Sequence, residues 1–376
     1  MSGIRVLVTN ADYANALAAV RSLGKHGVEV VCGSTSKHAQ SFYSRYCASR
    51  FIYPSPQNET AFVKSVADRA ISDRIDVVLP IGYDANTVLS KHLGEFDGVT
   101  EVPVVTWDSM KVASDKAATM EFAKNLGIGI PRTYSTIDDV DSFPVVVKGA
   151  GGAGRLRYVN SRQELAEMHP SESVMQEYVP GVGYGYFALF NKGELKASFM
   201  HRRIREYPVT GGASSAAESV HDPELERAGS KLLKSLNWHG VAMAEFKKDT
   251  RDGKFKLMEI NPKFWGSLDL SIVSGIDFPY LDVKMAMDGD VEPVVKYRTG
   301  ERFTWPFPND VMHVLARPSS APAFLHDVRD RNVHTNIWLD DVFPNVFQLV
   351  ITIGTVVVHL KRGDLKHPHG IARVMS

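Results

Sequence analysis

The stretch that decides the fold is AEFKKDTRDGKFKLMEINP, residues 244–262. If residues 251–253 form a hairpin loop, Glu245 lies directly opposite Glu259, and Asn261 shares their face because strand side chains alternate. Like charges in opposed positions destabilise a strand pair. The pattern therefore predicts a hairpin whose two carboxylates and amide oxygen bind a hard divalent cation such as Mg²⁺. A pair of exposed hairpin glutamates is the alternative interpretation.

A second segment, upstream of the hairpin, places a lysine before a run of glycines. Residues 144–148 are apolar up to Lys148, and four of the six residues 149–154 are glycine. Glycine lets the backbone approach phosphate oxygens and direct N–H groups at them. Because the lysine precedes the glycines, this is not the GxxxxGK[ST] loop. The segment predicts phosphate binding, with a flexible hairpin as the alternative.

Basic side chains recur at alternate positions of a third predicted strand. His201, Arg203 and Arg205 fall on one face if the strand is regular. Such a row suits a phosphate and an incoming carboxylate, whereas a solvated basic strand is the alternative. Lys263 extends the face of Asn261 by two residues. We therefore predict that these cations hold the reacting anions.

The first hundred residues alternate between short apolar runs and helical segments. Strands are predicted over residues 4–9, 28–33 and 76–80, and helices over residues 13–26 and 59–71. This alternation predicts a parallel, doubly wound sheet. The turn after the first strand lacks GxGxxG, so a dinucleotide site is not expected there.

Composition restricts the class of protein. The 376 residues include 43 basic and 43 acidic side chains, and this balance gives no support to nucleic acid or an anionic membrane as the main partner. Two cysteines without a CxxC pair argue against a zinc site. The N-terminus lacks a signal-peptide pattern, so a cytoplasmic location is expected. Residues 346–358 are too short for a membrane span and are rich in β-branched residues, which predicts a buried strand or core segment, with membrane contact as the alternative.

The order of these motifs resembles that of the ATP-grasp superfamily of ligases. It runs from Asp115-Lys116 through Lys148 and its glycines, then residues 176–179, to Glu245 and Glu259-x-Asn261. The resemblance covers about residues 5–286 and implies an α/β and α+β chain. The implied units are a Rossmann-like domain (1–105), a small ATP-grasp lid subdomain (106–182) and a metal- and substrate-binding subdomain (183–300). Outside the resemblance, four prolines between residues 306 and 322 predict a linker-like region leading to a small C-terminal appendage (301–376).

The resemblance also implies site residues for ATP and Mg²⁺, with Mn²⁺ as an alternative metal. The nucleotide would be bound by Lys116, Lys148, Gly151, Gly152, Gly154, Gln176, Glu177, Tyr178 and Val179. The metal would be bound by Glu245, Glu259 and Asn261, and the reacting groups by His201, Arg203, Arg205 and Lys263.

Within the superfamily, the chain looks most similar to carbamoyl-phosphate-synthetase-like proteins and predicted carboxylate–amine ligases, a group that includes D-aspartate ligases. The implied reaction forms an acyl phosphate that an amine attacks, giving an amide, ADP and phosphate. The sequence differs from the family pattern in two places. No ribose-binding glutamate is obvious near Tyr184, and residues 264–267 stand where biotin carboxylases have a Gln-Val-Glu-His run, which argues against bicarbonate as the substrate.

Three alternatives to a carboxylate–amine ligase stay open. They are a carboxylate–thiol ligase, a carboxylase, and a non-catalytic nucleotide-binding regulator. The expected partners are a small carboxylate and an amine, with a homodimer as a further hypothesis. Neither nucleic acid nor a transmembrane segment is expected.

Overall fold

The computed structural model describes residues 3–149, 156–168, 173–209 and 211–366. Within these ranges the strands form three sheets of four, seven and four strands, with helices packed against them. The first sheet is parallel, whereas most pairings in the other two are antiparallel. The predicted combination of α/β and α+β architecture is confirmed.

The N-terminal part is a four-stranded parallel sheet with helices on both faces. Successive strand residues point to opposite faces, so Val6 and Val8 pack with the first helix and Leu7 with the next two. The predicted parallel sheet is confirmed, and its strand order is β3-β2-β1-β4. Its elements are β1 (Arg5–Val8), α1 (Ala14–Lys25), β2 (Glu29–Ser34), β3 (Cys47–Ile52), α2 (Glu59–Asp73), β4 (Val77–Leu79) and α3 (Tyr83–Lys91).

The next part is a small antiparallel sheet preceded by two helices. The Asp115 side chain accepts hydrogen bonds from the N–H groups of Ala117 and Ala118, which caps the second helix. The strand order is β5-β8-β6-β7. The elements are α4 (Trp107–Ser114), α5 (Lys116–Asn125), β5 (Thr133–Tyr134), β6 (Val145–Gly149), β7 (Leu156–Val159), α6 (Arg162–Glu167) and β8 (Ser173–Glu177).

The third part supplies five strands of the seven-stranded sheet. Its helices pack on both faces of that sheet, and α1 packs against two of them, which joins the N-terminal part to the large sheet. The elements are β9 (Gly181–Asn191), β10 (Glu194–Tyr207), β11 (Ala213–Ser219), α7 (Pro223–Ser235), β12 (Gly240–Asp249), β13 (Phe255–Asn261), α8 (Leu268–Ser274) and α9 (Phe278–Asp288).

The C-terminal region continues the same sheet, whose order is β13-β12-β9-β10-β11-β14-β15. The proline-containing stretch predicted as a linker instead forms a π-helical turn, Pro306–Asp310, and short helices packed on β10 and β11. The elements are β14 (Arg302–Thr304), α10 (Val311–Ala316), α11 (Ala321–Arg329), β15 (Val333–Thr335) and α12 (Val342–Arg362).

The last helix overturns one prediction from the sequence. Residues 346–358 were expected to form a buried strand, but they lie within α12, and most of their apolar side chains are exposed. In the described part of the chain, α12 is the one helix that is long and apolar enough to cross a membrane. The absence of a transmembrane segment therefore stays a prediction.

Candidate active site

A cavity of about 560 Å³ lies between the small sheet and the large sheet. Tyr83, at the start of α3, contributes a wall from the N-terminal part. The volume lies within the range of small-molecule and cofactor sites. Most of the site residues predicted from the sequence line it, namely Lys116, Lys148, Gln176, Glu177, Tyr178, Val179, Arg203, Glu245, Glu259, Asn261 and Lys263.

The hairpin of β12 and β13 forms the acidic floor of the cavity. Glu245 pairs directly with Glu259, as predicted. The neighbouring pair is Phe246 with Leu257, so Met258 is an extra residue on β13 and forms a β-bulge. Both carboxylates face the cavity, where mutual repulsion disfavours them unless a cation lies between them.

The donor set fits a hard divalent cation. The Asn261 amide nitrogen donates to Glu259 Oε1 over 2.9 Å, which leaves the Asn261 amide oxygen available as an acceptor. Burial raises the pKa of Glu245, Arg203 opposes this effect, and the charge of Glu259 raises the pKa further. Across the described ranges no group of three His, Cys, Asp or Glu side chains could hold a metal, so the asparagine is needed as the third protein ligand.

Two lysines place positive charge next to this acidic floor. Lys148 Nζ donates to Gln176 Oε1 over 2.9 Å, and Lys263 Nζ donates to the Phe264 carbonyl over 3.4 Å. Burial lowers the pKa of both ammonium groups, and the two hairpin glutamates raise it. The lysines and glutamates therefore interact within one poorly solvated cavity, which suits an anionic ligand with a counter-cation.

Arg203 crosses the cavity wall to reach the acidic floor. Its Nη2 lies 2.8 Å from Glu245 Oε2, and its Nη1 lies 3.3 Å from Glu206 Oε2. The guanidinium packs against Gly183, where an added Cβ would lie 2.9 Å from Arg203 Cδ. Among the described residues Nε has no hydrogen-bond partner, so one donor of the fork is unused.

His201 lies behind the cavity wall and does not line the cavity, so its predicted role in the site stays a prediction. Its Nε2 is 2.7 Å from the hydroxyl of Ser267, a residue that does line the cavity. Its ring packs against Phe187. Burial, together with the charge of Arg203, lowers the pKa of His201 to about 3, so the imidazole is neutral at physiological pH.

Arg205 faces away from the cavity, so the prediction that it joins Arg203 on one face is wrong. Arg203 pairs with Ala217 and Arg205 pairs with Ala216, which leaves Ile204 as an extra residue in β10. Because successive residues on β11 point to opposite faces, this bulge sends the two arginines to opposite sides of the sheet.

The buried partners of Arg205 indicate a structural role. Its guanidinium holds Asp310 over 2.7 and 2.8 Å and Asp327 over 2.7 Å. Lysine cannot reproduce this fork, so we expect Arg205→Lys to lower the free energy of unfolding by about 1–3 kcal/mol in urea titrations. The neighbouring exposed pair, Arg202 with Glu218, provides the control: Arg202→Lys is expected to stay within about 0.5 kcal/mol. Equal effects of the two substitutions would contradict this assignment.

The strand end of β8 borders the cavity, but its polar side chains are already engaged. Gln176 accepts from Lys148 and donates to Thr133 over 3.3 Å. Glu177 accepts from the Arg132 N–H over 2.9 Å and pairs with Arg251 over 2.8 Å. The predicted nucleotide contacts of these residues stay predictions. Gly151, Gly152 and Gly154 lie outside the described residues.

Sequence reasoning missed one cavity cation. Lys247 Nζ donates to the Val179 carbonyl over 3.2 Å and lies 5.3 Å from the centre of the Tyr178 ring. Lys247 follows Glu245 by two residues on β12, so the alternation of side chains placed both on the same face. That spacing was the signal that would have identified it.

Comparison with known proteins agrees with this architecture. Residues 169–306 match a family described as "ATP-grasp in the biosynthetic pathway with Ter operon". Two curated relatives are named 5-formaminoimidazole-4-carboxamide-1-(beta)-D-ribofuranosyl 5'-monophosphate synthetase. The one from Ignicoccus hospitalis is 29% identical over 30% of this chain and 37% of its own length. The one from Pyrobaculum aerophilum is 26% identical over 49% of this chain and 54% of its own length. The matches therefore span only about half of these relatives or less.

Solved structures share the fold over most of the chain. A biotin carboxylase–ATP complex from Campylobacter jejuni is 17% identical, with a TM-score of 0.63 over 79% of this chain and 74% of its own. An L-amino acid ligase from Bacillus licheniformis is also 17% identical, with a TM-score of 0.62 over 78% of both chains. The family match over residues 169–306 and the fold shared with these structures support membership of the ATP-grasp superfamily.

Proposed function

We propose that the protein is an ATP- and Mg²⁺-dependent carboxylate–amine ligase that releases ADP and phosphate. The observation that carries the proposal is the opposed pair of Glu245 and Glu259, with Asn261, in one cavity with Lys148 and Arg203. Two half-buried carboxylates on adjacent strands favour a bound cation, and the surrounding basic groups favour an anion. A metal–nucleotide complex provides both.

The metal-binding and phosphate-binding roles follow from the donor types. Glu245, Glu259 and Asn261 would hold Mg²⁺, which when bound supplies charge neutralisation at the phosphate oxygens. Lys148 is fixed by its hydrogen bond to Gln176 and would contact the phosphates. This fixed geometry lowers the cost of orienting the ammonium group when the nucleotide binds.

The groups proposed to act on the reacting carboxylate are Arg203 and Lys263. Both line the cavity beside the acidic hairpin. A carboxylate oxygen would attack the γ-phosphorus as the bond to the β-phosphate oxygen breaks, giving an acyl phosphate and ADP. An unprotonated amine would then attack the acyl carbon, the acyl C–O bond would break, and the amine proton would pass to the departing phosphate, giving the amide and hydrogen phosphate. Arg203 would stabilise the negative charge that develops in both steps.

The choice of an amine as acceptor is supported by the names of similar proteins. The two curated relatives are named as synthetases of a formamino compound, and a formamino group contains an amide C–N bond. A structural neighbour is named an L-amino acid ligase. The segment after Asn261 argues against a carboxylase. It continues with Phe264 and Trp265, which are buried and apolar, where biotin carboxylases have the Gln-Val-Glu-His run.

The nucleotide products test the proposal directly. We expect ADP and phosphate in equal amounts when the protein is incubated with ATP, Mg²⁺ and the correct pair from a panel of amino acids and amines. Reactions lacking the acid or the amine provide the controls. AMP with pyrophosphate as the main products would contradict acyl-phosphate chemistry, and ADP release that depends on coenzyme A or bicarbonate instead of an amine would favour the alternative acceptors. The absence of turnover with every pair would favour a regulatory protein.

A further inference from the structure

Helix α12 exposes its apolar side and buries its polar side, the reverse of an ordinary surface helix. Its most exposed apolar side chains include Phe343, Val346, Val350, Ile353 and Leu360. At about 100° per residue, the exposed apolar positions cover an arc of roughly 200° around the helix axis. Only 17% of its most apolar window is buried within the molecule.

The buried side of α12 is a narrow polar seam. Gln348 donates to Gln40 over 3.0 Å and accepts from Asn336 over 3.2 Å. Thr352, one turn later, is also buried. Phe347 stacks on Tyr43, but most of the other apolar side chains of α12 are exposed, so most of the arc has no apolar partner among the described residues.

Both ends of α12 are fastened to the rest of the chain. At the first end Arg21 Nε lies 2.8 Å from Asp341 Oδ2 in a fully buried ion pair. At the second end the Tyr207 hydroxyl donates to the Leu365 carbonyl over 3.1 Å, and the Tyr207 ring packs edge-on against His359. A helix held at both ends presents its arc sideways and could not cross a bilayer without breaking these contacts.

The charges of α12 are all of one sign and lie at one end. From Val342 to Gly363 the chain has no acidic residue, and it carries Lys361 and Arg362, both exposed, in the last turn. Just beyond the helix, Asp364 lies 2.7 Å from His359, and exposed Lys366 follows. An apolar face bordered by cations matches the interface of an anionic lipid bilayer.

We propose that α12 binds the protein to the surface of anionic membranes, with its apolar arc in the interfacial layer and its axis parallel to the bilayer. A second copy of the chain is the competing occupant. One partner helix covers a single stripe of two positions in seven, whereas the arc spans more than half of the helix circumference. Lipid covers the whole arc at once, and the terminal cations meet lipid phosphates.

Vesicle flotation of the full chain tests the apolar contact. We expect the protein to float with mixed phosphatidylcholine–phosphatidylglycerol vesicles, and Val350→Asp to weaken binding at least about tenfold. Ile71→Asp is the matched control, because Ile71 lies on α2 and is 63% exposed, as is Val350. Unchanged ATP turnover and an unchanged unfolding midpoint would show that Val350→Asp leaves the fold intact. Equal binding by both variants overturns the proposal.

A second pair of measurements tests the charge and the competing occupant. The double variant Lys361→Gln/Arg362→Gln is expected to lose roughly thirtyfold in affinity for the anionic vesicles and little for pure phosphatidylcholine vesicles. The molar mass in solution is then measured by light scattering without lipid. A dimer that Val350→Asp converts to a monomer, with no vesicle binding by the parent chain, assigns the face to a second copy and overturns the proposal.

Discussion

Glu259→Gln is expected to reduce ligase turnover by a factor of about 10²–10³ or more without loss of stability. Glutamine keeps the size of the side chain but removes a negative charge that the metal requires. The same change removes the repulsion between positions 245 and 259, so the metal-free protein should be as stable as the parent or more stable. ADP release at saturating ATP and Mg²⁺ measures the first effect, and thermal unfolding measures the second.

The stability measurement separates a metal ligand from a residue that merely supports the fold. With the parent chain, Mg²⁺ and nucleotide together should raise the unfolding temperature, since a ligand that binds the native state stabilises it. Glu259→Gln should lose most of that increase. Glu218→Gln, on β11 with an exposed arginine partner, is the control and should keep both the increase and the turnover. Parent-like turnover in Glu259→Gln would rule out the metal assignment.

The hairpin shows how far the sequence could predict the site. The pairing of Glu245 with Glu259 was predicted from a loop at residues 251–253. In the structure the Asp249 N–H donates to the Lys254 carbonyl, so the loop is one residue longer, and the bulge at Met258 restores the predicted pairing. The two deviations cancel. A bulge depends on tertiary packing, and the alternation of side chains along the strands does not reveal it.

A second bulge had the opposite consequence in β10. The extra residue Ile204 turns Arg205 to the other face, where Asp310 and Asp327 bind it. Alternation alone predicts one face for His201, Arg203 and Arg205, and it fails wherever a strand is irregular. Motif order identified the cavity correctly, but the direction of each side chain depended on register.

The prediction of a buried strand over residues 346–358, which lie in α12, failed for a reason other than a bulge. The β-branched composition of α12 favours a strand, and the segment was interpreted as core because it is apolar. The polar residues Asn345, Gln348, Thr352 and His359 recur at spacings of three, four and seven, which is a helical period. This signal was present in the sequence. An ordinary surface helix packs its apolar face against the protein, and α12 packs its polar face instead, which is why composition alone predicts the wrong structure here.

Arg203→Lys is expected to lower kcat by about 10²-fold while ATP affinity changes little. The guanidinium forms ion pairs with both Glu245 and Glu206, while its Nε has no partner among the described residues. The same side chain can therefore hold the hairpin in place and donate a hydrogen bond to an anion. A lysine ammonium can hold one carboxylate but lacks the second, parallel donor. The loss should therefore appear where charge develops on the transferred phosphoryl group.

The adjacent arginines of β10 provide matched controls for this substitution. Arg202→Lys changes an exposed ion pair and should affect neither turnover nor stability. Arg205→Lys changes a buried one on the opposite face and should lower stability but not the kcat of the folded protein. If Arg203→Lys raises the KM for the acid at constant kcat, Arg203 anchors only the ground-state carboxylate. If it behaves like Arg202→Lys, the reacting anions must be held elsewhere in the cavity, where Lys263 is the next candidate because it borders the same hairpin.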